Sequence, residues 1–149
     1  MKSHKILQLN FLGAYFNGDG TQRKNGQISA TTISTKLARQ VVCLLNSNKI
    51  ISSLELRYPK DSSKKPYYVI TLGKHQTKKL AGVSKFKGYN GDSESKIFIR
   101  EDHMWHPVRH IKFRKFSGNV YNLKVEEDNS FIANFVAVHN CNDNISGGQ

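Results

Sequence analysis

Residues 11–22 read FLGAYFNGDGTQ, an apolar run with two small residues that ends in a Gly-Asp-Gly turn. The run predicts a helix that ends near Asp19, because glycine commonly stops a helix. Gly13 and Ala14 are small enough to let another helix approach closely. Asp19 would stand at the helix end, where a carboxylate can hold a hard divalent cation against a phosphate. An ordinary amphipathic helix that ends at a polar turn is the alternative.

The residues after this turn predict a strand, a helix and two more strands. Residues 27–33 alternate as a strand, Ser34 is a suitable N-cap, and residues 37–45 carry apolar side chains at helical spacing. Residues 52–58 and 67–72 predict two strands joined by a polar turn, and residues 74–80 predict the opening of another helix. Cys43 falls among the apolar positions of the helix, so we expect it to be a small buried residue without chemistry.

Positive charge is concentrated in the first two thirds of the chain. Residues 1–100 contain 18 Lys and Arg against five Asp and Glu, whereas residues 101–149 contain five against six. This asymmetry predicts a nucleic-acid-binding module joined to a nearly neutral one, since phosphate contacts dominate sequence-independent affinity for DNA. A solvated basic face is the alternative. The sequence has no signal peptide, no apolar run that could span a membrane and only two cysteines, so we expect a cytoplasmic protein.

The second informative stretch, residues 120–141, reads VYNLKVEEDNSFIANFVAVHNC. Residues 120–125 and 131–138 predict two strands around an acidic turn, and residues 96–100 and 107–113 predict two earlier strands. The second module is therefore expected to be all-β, with its boundary in the polar segment 89–95. At roughly fifty residues it would be marginal alone, which suggests that it needs further strands from elsewhere.

Three adjacent residues at the end of this stretch carry groups that can break a peptide bond. The Asn140 side-chain amide can attack its own main-chain carbonyl, which closes an imide and cuts the chain before Cys141. His139 can protonate or polarise the scissile amide, and the Cys141 thiol can carry an acyl group as a thioester. A polar loop after an ordinary hairpin is the alternative.

The first stretch resembles the LAGLIDADG motif of homing endonucleases, with residues 12–20 standing over its nine positions. The resemblance implies one αββαββα-like repeat, DNA bound on a saddle of strands, and Mg²⁺ held by a catalytic Asp19. It also implies a catalytic lysine, for which Lys85 or Lys87 lies in the expected place. Asn17 replaces a usually acidic residue and leaves the metal-ligand position intact. The residues expected to contact DNA are Arg57, Lys60, Lys64, Lys65 and the exposed members of residues 22–31.

Residues 120–141 resemble the C-terminal splicing region of an intein, a self-excising element built on the Hint fold. The resemblance implies catalytic roles for His139, Asn140 and Cys141, with Asn122 where an aspartate usually assists proton transfer. Asn129 stands where a histidine is usual, and neither asparagine titrates near neutral pH, so slow splicing is expected. Phe135 stands where glycine commonly follows Asn134, so a type I′ turn is not expected there.

Together these resemblances predict an α+β chain in three parts: residues 1–92 form an endonuclease repeat, residues 93–140 a splicing segment, and residues 141–149 the start of the downstream flanking protein. The sequence shows neither the N-terminal splicing half nor a second LAGLIDADG motif. The expected function is protein splicing in trans with an N-terminal intein fragment that also carries the other repeat. Double-stranded DNA is the other expected partner, a membrane is not one, and splicing needs no cofactor. A single-motif endonuclease acting as a homodimer and an inactive intein remnant are the alternatives.

Overall fold

The computed structural model describes residues 4–88, 97–101, 103–108, 110–121, 123–127 and 129–139. The helices and strands, in chain order, are α1 Lys5–Asp19, β1 Gly20–Gln22, β2 Ile28–Thr32, α2 Thr35–Ser47, β3 Ser52–Arg57, β4 Tyr67–Leu72, a 3₁₀ helix Lys74–Leu80, β5 Phe98–Arg100, β6 His103–Trp105, β7 Ser130–Ala133 and β8 Val136–His139. The chain divides into two compact units, Met1–Pro107 and Val108–Gln149. The predicted boundary segment 89–95 lies outside the described residues. None of the described helices has the length and apolar character needed to cross a membrane.

The first unit is built on a four-stranded antiparallel sheet in the order β1-β2-β4-β3. Ala30 pairs with Ile70, which pairs with Leu54 on its other side, so these three side chains share one face of the sheet. That face packs with apolar residues of both α-helices, including Leu12 and Leu45, to form the core. The observed order of helices and strands agrees with the predicted α+β repeat up to residue 80.

Helix α2 begins as predicted, because the Ser34 hydroxyl accepts a hydrogen bond of 3.2 Å from the Leu37 backbone N–H. Its buried residues are Ala38, Val41, Val42 and Leu45. The expectation that Cys43 is buried is wrong, since this residue is exposed. The period of about 3.6 residues places Cys43 away from the buried face, although apolar neighbours precede and follow it in sequence.

The segment after β4 closes the first unit against α1. Residues 74–80 form one short 3₁₀ helix instead of opening a longer helix. The chain then returns to α1, where Val83 packs against the core and the Phe86 ring is buried in it. The β5–β6 hairpin follows, with Phe98 paired to Trp105.

The predicted strands 107–113 and 120–125 are wrong, since none of their described residues belongs to a strand. Their apolar side chains are largely exposed, including Ile111, Phe113, Val120 and Tyr121. Alternation of apolar and polar residues makes a segment suitable for a sheet, but a strand forms only where another strand supplies its hydrogen bonds.

The second unit contains the β7–β8 hairpin, in which Ala133 pairs with Val136 across a two-residue loop. Both loop residues have positive φ, 48° at Asn134 and 69° at Phe135. This is the signature of a type I′ turn, so the expectation that Phe135 would prevent it is wrong. The twist of the paired strands favours this turn, and it holds even though a bulky residue is strained at positive φ.

Candidate functional site

Asp19 is the last residue of α1 and is exposed to solvent. The chain passes directly from the helix into β1 through Gly20, whose backbone N–H bonds to the Phe16 carbonyl. A Cβ built on Gly20 would lie 2.2 Å from that carbonyl oxygen. Only glycine fits this abrupt change from helix to strand, which explains the residue that follows Asp19.

A carboxylate such as that of Asp19 is a ligand that Mg²⁺ accepts. Mg²⁺ is commonly bound by one or two carboxylates together with water and substrate phosphates. The carboxyl end of a helix also carries partial negative charge, which favours a cation beside Asp19. The described residues contain no group of three or more His, Cys, Asp or Glu that could hold a metal by themselves.

Tyr15 lies one helical turn before Asp19 and makes an edge-to-face contact with Phe16. Its hydroxyl is buried and has no hydrogen-bond partner among the described residues. Burial raises the pKa of Tyr15, and the negative charge of Asp19 raises it further. Both effects favour the neutral phenol over the phenolate.

Lys85 lies at the same end of α1, bonded twice to Asn17. The Lys85 Nζ donates to the Asn17 carbonyl oxygen at 2.6 Å, and the Lys85 backbone N–H donates to Asn17 Oδ1 at 2.7 Å. Gln22 Nε2 donates to the Lys87 carbonyl at 3.0 Å. The structure therefore brings the side chain of Lys85 to the helix end two residues from Asp19, and fixes Lys87 through its main chain. Sequence reasoning did not foresee the contacts of Asn17 with Lys85 or of Gln22 with Lys87, because no local pattern connects positions so far apart.

The sheet face opposite the core carries a row of hydroxyl groups. The registers pair Thr21 with Ser29, Ser29 with Thr71, and Thr71 with Ser53, so each strand contributes one hydroxyl to the row. This row presents neutral donors and acceptors, which are groups that can contact base edges in a DNA groove.

Basic residues predicted to contact DNA lie at one end of this sheet. Arg57, the last residue of β3, donates to Glu55 at 2.7 Å, and this hydrogen bond lowers the pKa of the Glu55 carboxyl. The loop that follows carries three exposed lysines, Lys60, Lys64 and Lys65. The Lys64 Nζ lies 3.9 Å from Asp61 Oδ2. Arg57 thus has an acidic partner already, while the loop carries more positive than negative charge.

One face of α1 is exposed and apolar. Leu7, Phe11, Ala14 and Gly18 are exposed residues three or four positions apart, which places them along one side of the helix. Leu7 and Phe11 also line an apolar groove of about 540 Å³ between α1 and α2. The prediction that Gly13 permits contact with a second helix is wrong, because Gly13 is buried against the Val83 main chain.

His139 is the last residue of β8 and pairs with Ser130 of β7. The hairpin therefore fixes the main chain up to the residue before Asn140. Asn129 precedes β7 with φ of 49°. Asn122, Asn140 and Cys141 lie outside the described residues.

The LAGLIDADG-like domain family matches residues 7–82, about half of the chain. The chain is also 29% identical over 167 residues to a DNA polymerase of Thermococcus litoralis, with 91% of this chain and 10% of that protein covered. It is 27% identical over 158 residues to an ATP-dependent DNA helicase of Thermococcus kodakarensis, with 94% and 13% covered. An iron-sulfur cluster assembly SufBD family protein of Mycobacterium tuberculosis is 28% identical over 145 residues, with 95% and 16% covered. The chain spans only about a tenth to a sixth of these relatives.

Proposed function

The chain belongs to the LAGLIDADG-like domain family, and from this premise we propose that it is the C-terminal piece of an intein with half of a homing endonuclease embedded in it. One observation carries the proposal. Nearly the whole chain aligns with a small part of a polymerase, a helicase and an iron-sulfur assembly protein. A segment shared by proteins of unrelated function is expected of an element that inserts into hosts and removes itself from their products.

The proposed splicing chemistry takes place at the end of the β7–β8 hairpin. The Asn140 side-chain nitrogen attacks the Asn140 carbonyl carbon, the bond from that carbon to the Cys141 nitrogen breaks, and the Cys141 amine takes up a proton. His139, held at the end of β8, supplies that proton or polarises the carbonyl. The Cys141 thiolate first attacks the thioester carbonyl of the N-terminal partner and takes over the acyl chain as the partner's own thiolate leaves. The freed Cys141 amine then attacks the new thioester, which forms an amide and restores the Cys141 thiol.

The exposed apolar residues between Val108 and Leu123 support a requirement for an N-terminal partner. Soluble proteins rarely leave so many large apolar side chains uncovered without a binding surface. In the proposal, strands of the N-terminal intein fragment pair with this segment and cover these side chains. Asn122, within the same segment, then orients a reacting group through its amide rather than by proton transfer.

DNA is the proposed ligand of the first unit. The hydroxyl row of the sheet would face the bases, and Lys60, Lys64 and Lys65 would contact phosphates beside it, with Arg57 released from Glu55 or shared with it. Asp19 would hold Mg²⁺, which supplies Lewis-acid chemistry at the scissile phosphate. Lys85 is the better candidate than Lys87 for the catalytic lysine, because its ammonium group lies at the end of α1.

The exposed apolar face of α1 is the observation that favours a second LAGLIDADG repeat in the complete nuclease. Phe11 is half exposed on this face and Ala14 and Gly18 beside it would permit close helix contact. The N-terminal fragment would supply that repeat together with a second acidic metal ligand. The same face equally fits a second copy of this chain, which is the arrangement expected of a standalone homodimeric endonuclease.

Co-expression with the product of the reading frame immediately upstream tests this proposal. Intact masses of the products are expected to include a joined host protein that begins its downstream part at Cys141, and a released fragment that ends at Asn140. Cys141→Ser is expected to reduce joining, whereas Cys43→Ser, the matched change at the other cysteine, is expected to leave it unchanged. Unaltered masses together with a dimer of this chain would contradict splicing and favour the homodimeric endonuclease.

A further inference from the structure

Asn17 is joined to Lys85 by two hydrogen bonds across 68 positions of sequence. Its side-chain oxygen accepts from the Lys85 backbone N–H at 2.7 Å, and its main-chain oxygen accepts from the Lys85 ammonium at 2.6 Å. One residue of α1 therefore binds both the backbone and the charged end of the same lysine.

Both bonds satisfy groups that would otherwise need other partners. The carbonyls of the last helical turn have no intrahelical donor, and the Asn17 carbonyl belongs to that turn. An ammonium group is also favourable there, since the carboxyl end of a helix carries partial negative charge. The Lys85 N–H lies outside any helix or strand, so the Asn17 side chain provides the acceptor that regular structure does not.

The segment around Lys85 is held on both sides of this contact. Val83 lies against the buried Gly13, and the Phe86 ring packs in the core. Gln22 of β1 binds the Lys87 carbonyl at 3.0 Å. The backbone therefore has little freedom to move away from α1, and the Lys85 N–H bond to Asn17 fixes its direction.

We propose that Asn17 is a positioning residue that holds the Lys85 ammonium at the end of α1, two residues before Asp19 in sequence. This role rests on the proposed endonuclease function. A lysine ammonium has three N–H donors, and the Asn17 carbonyl uses one of them. The remaining donors can bind a DNA phosphate next to the cation held by Asp19. A free lysine would sample many rotamers, so the contact increases the fraction of time in which the charge is correctly placed.

A double-mutant cycle tests the proposal. The full chain, co-expressed with the upstream product, is mixed with Mg²⁺ and a plasmid that carries the flanking host sequence without the insertion. Single-turnover cleavage and the dissociation constant for DNA are measured separately. Asn17→Leu removes the side-chain acceptor and is expected to slow cleavage about tenfold, since small misplacements at a reacting centre have effects of this order or larger. The dissociation constant is expected to stay within about twofold, and Asn17→Asp, which keeps an oxygen acceptor, is expected to restore cleavage.

The cycle separates positioning from general damage. In a Lys85→Ala background, Asn17→Leu is expected to cause no further loss of cleavage, because the residue acts through the missing lysine. Asn10→Leu, a change at an exposed position of the same helix, serves as the matched control and is expected to have no effect. Amide hydrogen exchange is expected to be faster at Lys85 in Asn17→Leu and unchanged at Leu12.

Two outcomes overturn the inference in distinguishable ways. If the wild-type complex cleaves DNA and Asn17→Leu slows cleavage equally with and without Lys85, the positioning role is wrong and the endonuclease function stands. If the wild-type complex binds and cleaves no DNA, the endonuclease proposal fails and the catalytic role of Asn17 fails with it, even where faster Lys85 exchange confirms the hydrogen bond.

Discussion

Gly13 lies directly against the main chain of Val83: a Cβ built on Gly13 would fall 2.1 Å from the Val83 carbonyl oxygen. This contact joins α1 to the segment that carries Lys85, so the small residue in the motif serves packing within the repeat. In the proposed nuclease, a second helix would approach the exposed side of α1, which includes Gly18.

Gly13→Ala is expected to destabilise the fold by about 1–2 kcal/mol, because overpacking against the backbone outweighs the gain of roughly 1 kcal/mol in helix propensity. Gly18→Ala is the matched control on the same helix, where an added Cβ meets nothing within 4 Å. It is expected to raise stability by up to about 1 kcal/mol. Urea unfolding of both variants measures the difference, and equal stabilities would contradict the packing role of Gly13.

Tyr15→Phe is expected to leave the free energy of unfolding unchanged at neutral pH or to raise it by up to about 1 kcal/mol. The reason is that the change removes a buried hydroxyl without a partner among the described residues. The pKa of Tyr15 is raised from 10.0 by burial and then by Asp19. Because the folded state favours the neutral phenol, ionisation of Tyr15 does not lower the stability of the fold below pH 10. The stability falls as pH rises above 10 and through the higher folded pKa. Unfolding curves from pH 7 to pH 11 should show a smaller alkaline loss in Tyr15→Phe. Tyr58→Phe, at an exposed tyrosine, should behave as wild type.

Phe135→Gly is expected to stabilise the β7–β8 hairpin by about 1 kcal/mol, because glycine adopts positive φ without the cost that a bulky residue bears. Ala137→Gly, in the neighbouring strand, is the control and is expected to weaken it. Amide exchange at residues of β7 measures both changes. Faster exchange in Phe135→Gly would mean that the phenyl ring stabilises the hairpin by more than the positive φ of Phe135 destabilises it.

Asp19→Asn is expected to lower Mg²⁺-dependent DNA cleavage by at least about a hundredfold, in the range found when one electrostatic group is removed from a reaction centre. Asp61→Asn, in the loop between β3 and β4, is the matched control and is expected to retain cleavage. Neither change should affect cutting of the chain at Asn140. Metal-dependent nicking that survives Asp19→Asn would show that the nuclease centre lies elsewhere or that a contaminating enzyme is present.

The first unit was predictable where local sequence and local structure agree. Ser34 marks the start of α2 because its hydroxyl accepts a hydrogen bond from the Leu37 N–H. Strands β3 and β4 are joined by one loop and pair with each other. The end of α1 at Asp19 follows from the glycines around it. These features depend on residues close in sequence or on strands joined by one loop.

Other features depend on contacts that a local pattern does not contain. Residues 107–113 and 120–125 alternate as strands, yet the described part of this chain gives them no partner. The Phe135 turn follows from the twist of two paired strands, which outweighs the preference of one residue. The bonds between Asn17 and Lys85 join distant positions, and only the folded chain brings them together.

Cutting between Asn140 and Cys141 tests the central claim most directly. Wild type, Asn140→Ala and Asn142→Ala are each co-expressed with the upstream product, and the intact masses of all fragments are followed with time. We predict a fragment that ends at Asn140 from wild type and Asn142→Ala, and none from Asn140→Ala. Formation of that fragment at the same rate in Asn140→Ala would contradict self-cleavage by Asn140, and its absence from all three would contradict splicing by this chain.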